Sequence, residues 1–129
     1  GVEEDLPSSG DGYNVANRLE ISGFTALKYL NFTCNNVGTL VISNNPALTY
    51  IDCRKCGIGT LDISKNPSLE ILACSYNDLT SLDVSKNTAL TYLNCSCNKI
   101  KSLNVSNNSK LTTCNYSWND GITVTGWSK

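Results

Sequence analysis

The chain has 129 residues, which suffices for one domain with a continuous core, and a formal net charge of −1. It holds no lysine or arginine run long enough to follow a phosphate backbone, and its longest apolar runs of about four residues cannot span a bilayer. Histidine is absent, which removes the commonest general base near neutral pH and the usual imidazole ligand of metals. Composition therefore excludes nucleic acid as a partner and membrane insertion of this chain, and it predicts no cofactor and no metal.

The chain repeats itself with a period of 21 residues. Leu-Asp-Ile-Ser at 61–64 returns as Leu-Asp-Val-Ser at 82–85 and Leu-Asn-Val-Ser at 103–106, with earlier copies at 40–43 and 19–22. The other half of the repeat, Leu-x-x-Leu-x-Cys-x-x-Asn-x-Leu at 69–79, returns at 90–100 with Ile100 at its end. Weaker copies at 27–37, 48–58 and 111–121 bring the number of turns to five.

Each repeat is a doubled unit of eleven plus ten residues with alternating apolar and polar positions. Alternation indicates strands, and each side is too short for a helix with two turns. We therefore expect about five right-handed coils with a parallel concave sheet and an extended or short-strand convex side. Residues 1–15 are expected to be a tether and cap, 16–120 the solenoid and 121–129 a C-terminal cap.

Equivalent positions on successive coils should lie about 4.8 Å apart, so that like side chains form columns. An asparagine column is predicted to bond backbone groups at the turn, and a serine column to satisfy turn amides with its hydroxyls. The asparagine column comprises Asn35, Asn77, Asn98 and Asn119. The serine column comprises Ser22, Ser43, Ser64, Ser85 and Ser106. Both roles are structural, which argues against a catalytic serine.

The motif at 69–79, followed by Leu-Asp-Val-Ser-x-Asn, resembles bacterial leucine-rich-repeat proteins, particularly the internalin J type, whose 21-residue repeats place cysteine at one core position. The resemblance covers about residues 19–120, with Phe32 and Tyr116 departing from the cysteine column and Cys56 from the asparagine column. It implies a solenoid of the α/β class by family, mainly β here, displayed at a bacterial surface or secreted. It also implies protein or glycan binding, without naming a ligand.

The seven cysteines suggest chemistry at first sight. Cys53 and Cys56 have the spacing of a redox or zinc half-site, and the two cations between them would favour thiolates. Repeat geometry already explains both positions, because Cys53 continues in Cys74 and Cys95, where a thiol acts as a small apolar group. We therefore predict mostly free thiols. Cys34 and Cys97 share an outward column about 14 Å apart, too far to bridge, and are expected to be exposed.

Alternation turns the residues between the inward leucine and cysteine columns toward solvent on the concave side. Tyrosine, tryptophan and arginine there suit protein hot spots and sugar stacking, although tyrosine also favours strands without any ligand. The candidate ligand-binding residues are Tyr29, Tyr50, Asp52, Arg54, Tyr76, Tyr92, Asn94 and Trp118.

Acidic residues offer weaker alternatives. Asp52 and Glu70 fall on neighbouring coils, but they occupy different columns without a signalled pocket, so an active site there is disfavoured. Asp62 and Asp83 are isolated carboxylates rather than a calcium cluster. The prediction is a non-enzymatic, extracytoplasmic module that binds a protein through its concave face. The alternatives are carbohydrate binding on the same aromatics and a structural spacer in a larger envelope protein.

Overall fold

The structure, a computed structural model, describes residues 17–31 and 36–128, and the regular elements in these ranges are ten strands. The predicted tether 1–15 and the positions Phe32, Thr33, Cys34 and Asn35 lie outside the described residues. The strands are β1 (Arg18–Ser22), β2 (Tyr29–Asn31), β3 (Gly38–Ser43), β4 (Tyr50–Asp52), β5 (Ile58–Asp62), β6 (Ile71–Ala73), β7 (Tyr92–Asn94), β8 (Ser102–Asn104), β9 (Thr113–Asn115) and β10 (Thr123–Thr125).

One side of the molecule is a five-stranded parallel sheet in the order β2-β4-β6-β7-β9. Successive strands pair with an offset of one repeat, so that Tyr29 lies opposite Tyr50 and Ile71 opposite Tyr92. Each strand is only three residues long, because the chain must turn away to complete a coil of 21 residues. The predicted solenoid of about five coils with a parallel sheet is confirmed.

The opposite side consists of shorter sheets, in agreement with the predicted short second strand. Strands β1, β3 and β5 form a three-stranded parallel sheet, and β8 pairs with β10. Between these two sheets the fourth coil passes through residues 79–84 without forming a strand. A shallow depression lies at this interruption, lined in part by Ser81, Asp83 and Asn104.

The core consists of columns of side chains from successive coils. One column is filled by Ile51, Leu72 and Leu93, all fully buried. The neighbouring cysteine column is buried as predicted, at Cys53, Cys74 and Cys95. Because a thiol is small, this column lets successive coils close over a narrow interior.

The predicted asparagine column is a buried ladder that joins successive coils. Asn98 donates from Nδ2 to the carbonyls of Cys74, Cys95 and Ser96, while its Oδ1 accepts from the Leu79 amide. Asn77 and Asn119 make equivalent bonds to their own coil and the one before it. The ladder therefore satisfies backbone groups that the short strands leave unpaired.

A second asparagine ladder lies at the opposite turn, and the sequence reasoning missed it. Its members are Asn45, Asn66, Asn87 and Asn108, and all are buried. Asn87 donates to the carbonyls of Ile63 and Asn66, and Asn108 repeats this pattern one coil later. The signal was present in the sequence, since these four residues share the same 21-residue spacing.

The serine column works differently from the prediction. The side-chain oxygens of Asp62, Asp83 and Asn104 accept the backbone amides of the serines two residues later, and the Ser64 hydroxyl donates to Asp62. The prediction that the serine hydroxyls satisfy turn amides is therefore wrong. The reason is that the side-chain oxygen of the Asp or Asn two residues upstream reaches the same amide in an Asx turn. This oxygen is a more effective acceptor than the serine hydroxyl.

Candidate binding face

The binding face is defined here as the outward side chains of the five-stranded sheet. Tyr29, Tyr50 and Tyr92 lie in its first outward column, with Ile71 between Tyr50 and Tyr92. The rings of Tyr29 and Tyr50 have centroids 5.5 Å apart at an angle of 53°. Tyr29 is 69% exposed, so its ring is only partly used by this contact.

Arg54 follows β4, the strand that carries Tyr50, and is held by Asp52. Its Nε and one terminal nitrogen each lie 2.8 Å from a different oxygen of the Asp52 carboxylate, a bidentate pairing. Asp52 is buried, and the hydrogen bonds from Arg54 lower the pKa of its carboxyl although burial opposes this. The same pairing raises the pKa of the Arg54 guanidinium, with smaller contributions from Tyr50 and Tyr92. Asp52 thus orients Arg54 and offers no free carboxylate.

Asn94 occupies the same column as Asp52 and also works within the chain. Its Oδ1 accepts both the amide and the hydroxyl of Ser96, at 3.1 and 2.7 Å. Asn115 repeats this arrangement with Ser117 one coil later. The amide nitrogen of Asn94 is the group that this arrangement leaves available to a ligand.

Tyr76 and Trp118 lie at the turn where the sheet ends, in a corner column with Lys55 and Cys97. All four residues have left-handed backbone, with φ between 56° and 60°. The Lys55 ammonium lies 5.3 Å from the centre of the Tyr76 ring, a cation–π distance. Interaction with the neighbouring Cys97 thiol raises the pKa of the Tyr76 hydroxyl. Trp118, at the end of the column, is 81% exposed.

The structure thus divides the eight sequence-predicted residues into two groups. Six lie on the outward side of the sheet or directly after it, and two lie in the corner column. Lys55 and Cys97 belong to this second group as well, although they were not selected from the sequence. The sequence places them in one column with Tyr76, one repeat before and one repeat after it, but only the aromatic members of that column were selected as candidates.

Cys53 and Cys56 do not form a redox pair with each other. Burial raises the pKa of the Cys53 thiol to about 12, so the flanking cations do not favour its thiolate. Cys56 is disulfide-bonded, an exception to the predicted free thiols, while Cys53, Cys74, Cys95, Cys97 and Cys114 are free. Cys97 is half-buried, and Cys34 lies outside the described residues. Cys53 and Cys56 therefore differ in chemical state, which the Cys-x-x-Cys spacing did not reveal.

The acidic residues are likewise engaged locally or exposed singly. Asp62 and Asp83 accept bonds from Ser64 and Ser85, which lower the pKa of each carboxyl. Glu70 is exposed, and Asp52 is paired with Arg54. Among the described residues no group of three histidine, cysteine or acidic side chains could hold a metal ion. In the same part of the chain, no helix has the length and apolar character needed to cross a membrane.

Coils of 21 residues, parallel sheets, an inward cysteine column and buried asparagine ladders define a leucine-rich-repeat solenoid. Among solved structures, the chain is similar to the functional domain of InlJ from Listeria monocytogenes, which includes a cysteine ladder. The two are 27% identical, and the TM-score is 0.43 over 70% of this chain and 30% of that one. The chain thus spans less than a third of the length of that structure. No family model and no curated protein matches it.

Proposed function

We propose that the chain is a non-enzymatic module that binds a protein partner through the binding face. The supporting observation is the placement of Tyr50 and Tyr92 in one outward column of the sheet, together with Arg54, which Asp52 holds in a bidentate pair. Tyrosine and arginine are enriched among residues that dominate protein interfaces; tyrosine buries much area while losing little conformational freedom, and arginine supplies a planar group with several hydrogen-bond donors. Arg54 is pre-oriented, so less side-chain entropy is lost when a partner contacts it.

We also propose an extracytoplasmic location, at a bacterial surface or secreted. The disulfide at Cys56 supports this location, because disulfides persist in oxidising compartments and are rare in the cytosol. The resemblance of the repeats to surface-displayed bacterial proteins points the same way. Fractionation of producing cells tests the proposal, and recovery of the protein only from the cytosol, with Cys56 reduced, would contradict it.

The binding proposal is tested with a panel of extracellular proteins and of glycans immobilised on the same surface. Wild-type chain is compared with the double variant Tyr50→Ala/Tyr92→Ala, and Phe24→Ala serves as the matched control. Phe24 is 57% exposed and lies at the turn that holds the second asparagine ladder, away from the binding face. Circular dichroism verifies that the wild-type chain and both variants are folded.

The expected result is binding to a protein that the double variant loses and the Phe24 variant retains. Loss of one hot-spot residue usually weakens binding by about ten-fold or more. Binding to glycans alone would contradict a protein partner and indicate carbohydrate binding instead. Protein binding that the double variant retains would exclude the binding face, and no binding to either class would favour a structural spacer.

A further inference from the structure

The corner column breaks a rule that the chain follows elsewhere. Outside this column, every left-handed residue in the described ranges is glycine or asparagine, the two types that tolerate positive φ best. The asparagines are Asn36 and Asn44, and the glycines are Gly23, Gly38, Gly57, Gly121 and Gly126. The corner column instead carries Lys55, Tyr76, Cys97 and Trp118. A bulky side chain in this conformation costs conformational free energy in every coil.

Packing in the core does not offset this conformational free energy. Tyr76 and Trp118 are 57% and 81% exposed, and both protrude where the sheet meets the turn. The side-chain contact that the structure shows within the column is the cation–π approach of Lys55 to Tyr76. Trp118 is the most exposed large apolar residue of the described chain. A large apolar ring that is exposed and also held at a strained position points to a contact outside the molecule.

We propose that the corner column seats an extended proline-rich segment of the protein partner, with a carboxylate of that segment at Lys55. This inference rests on the proposed function, because it names the chemistry of a protein ligand. Tyr76 and Trp118 are two coils apart, about 9.6 Å by the strand spacing. A polyproline II helix advances about 9.3 Å in its turn of three residues, so every third residue meets an aromatic ring. Tyrosine and tryptophan ridges bind such helices in other domains.

Charge sets the expected direction of the segment. Lys55 and Arg54 lie at the N-terminal end of the column, where Arg54 is already paired with Asp52 and Lys55 has no carboxylate partner among the described ion pairs. Further along, Lys99 is paired with Asp78 at 3.3 Å. An acidic residue on the segment is therefore expected at Lys55, and the prolines toward Trp118.

Binding is tested with Trp118 as its own reporter. The chain has two tryptophans, so Trp127→Phe leaves the fluorescence of Trp118 alone. This variant is titrated with a short oligoproline peptide that begins with aspartate, an equally long glycine–serine peptide, and a chito-oligosaccharide. We expect a saturable blue shift with the oligoproline peptide only. Tyr76→Ser should weaken it by about ten-fold or more, whereas Phe24→Ala should leave it unchanged.

Lys55→Gln tests the proposed contact between the Lys55 ammonium and a carboxylate of the segment. It should weaken the peptide that begins with aspartate but not a peptide that begins with asparagine. Equal binding of the glycine–serine peptide, a response to the oligosaccharide alone, or no shift at all would overturn the proposal. The protein panel described above is independent of this outcome, because it uses whole proteins and Tyr50 and Tyr92. Failure here with a positive panel would therefore reject only the proline-rich segment.

The strain argument has its own readout, which needs no ligand. Trp118→Asn should raise the urea midpoint of unfolding, because asparagine tolerates positive φ and little packing is lost. Trp118→Ala, which retains the strain but removes the ring, should not raise it. A midpoint below that of the wild type for both variants would mean that the ring supports the fold, and it would contradict a role in external contact.

Discussion

At the scale of single residues, the buried asparagines replace hydrogen bonds that the short strands leave unmade. Each of Asn77, Asn98 and Asn119 bonds to the backbone of its own coil and the preceding one. The sequence predicted this ladder because its spacing is constant. It did not predict the state of Cys56, because a cysteine at an asparagine position gives no indication of its own partner.

Asn98→Ala should lower the free energy of unfolding by about 3 kcal/mol, because it leaves the Leu79 amide and three carbonyls without their partner. Asn107→Ala is the matched control, since Asn107 is exposed and its one bond, to Ser85, is 3.4 Å long. Urea denaturation of both variants measures the difference. Equal stabilities would show that the ladder is not a source of stability.

The buried thiols are expected to make the fold less stable at alkaline pH. Burial raises the pKa of Cys53 and of Cys95 from 9.0 to about 12, so the folded state retains protons that the unfolded chain releases. The contribution of these two thiols to the free energy of unfolding is complete below pH 9. It is lost as pH rises toward 12, by about 1.4 kcal/mol per pH unit for each thiol. Urea midpoints between about pH 8 and 11, with Cys95→Ala as comparison, measure this loss. An identical pH dependence in the variant would contradict it.

At the scale of elements, the two sides of the coil differ in regularity. The five-stranded sheet follows from the sequence, because its strands alternate strictly around the leucine and cysteine columns. The interruption at 79–84 does not follow, since Leu79, Leu82 and Val84 keep the same apolar spacing as neighbouring coils. Strand formation there depends on how adjacent coils approach each other, which periodicity alone does not specify.

Local opening should begin at this interruption. The amides of Thr80, Ser81 and Leu82 donate no backbone hydrogen bond in the described structure, whereas those of β3 belong to a three-stranded sheet. Native-state hydrogen exchange should therefore be faster in these amides than in residues 39–42. Equal protection of both segments would mean that the fourth coil is paired in solution.

Because successive coils lie close together at Gly57, we expect a side chain at this position to destabilise the fold. Its φ is +66°, and a Cβ there would lie 2.6 Å from Oδ1 and 2.9 Å from Cα of Asn36. Gly57→Ala should therefore destabilise the fold by about 2 kcal/mol. Gly59 has no left-handed φ, and its Cβ would meet only the Gly38 carbonyl at 3.6 Å, so Gly59→Ala is the control. Thermal unfolding of the two variants should separate them, and similar melting would contradict the argument.

At the scale of the whole molecule, the repeat assigns most conspicuous residues to structure and leaves an aromatic face with one oriented arginine. The sequence predicted which residues point outward, because strand alternation and the 21-residue period fix the columns. It could not predict that Asp52 is buried beneath Arg54, or that the corner column is left-handed. Both depend on contacts between side chains and on the path of the turn, which spacing does not contain.

The most direct test is a hydrogen-exchange footprint of the chain with a protein partner identified by the panel. Binding should slow exchange at the outward-facing strands β4, β6 and β7 and at the turn residues Arg54 to Cys56 that follow β4. Strands β5 and β8, on the opposite side, should exchange as they do in the free chain. Protection confined to β5 and β8 would contradict the binding face proposed here.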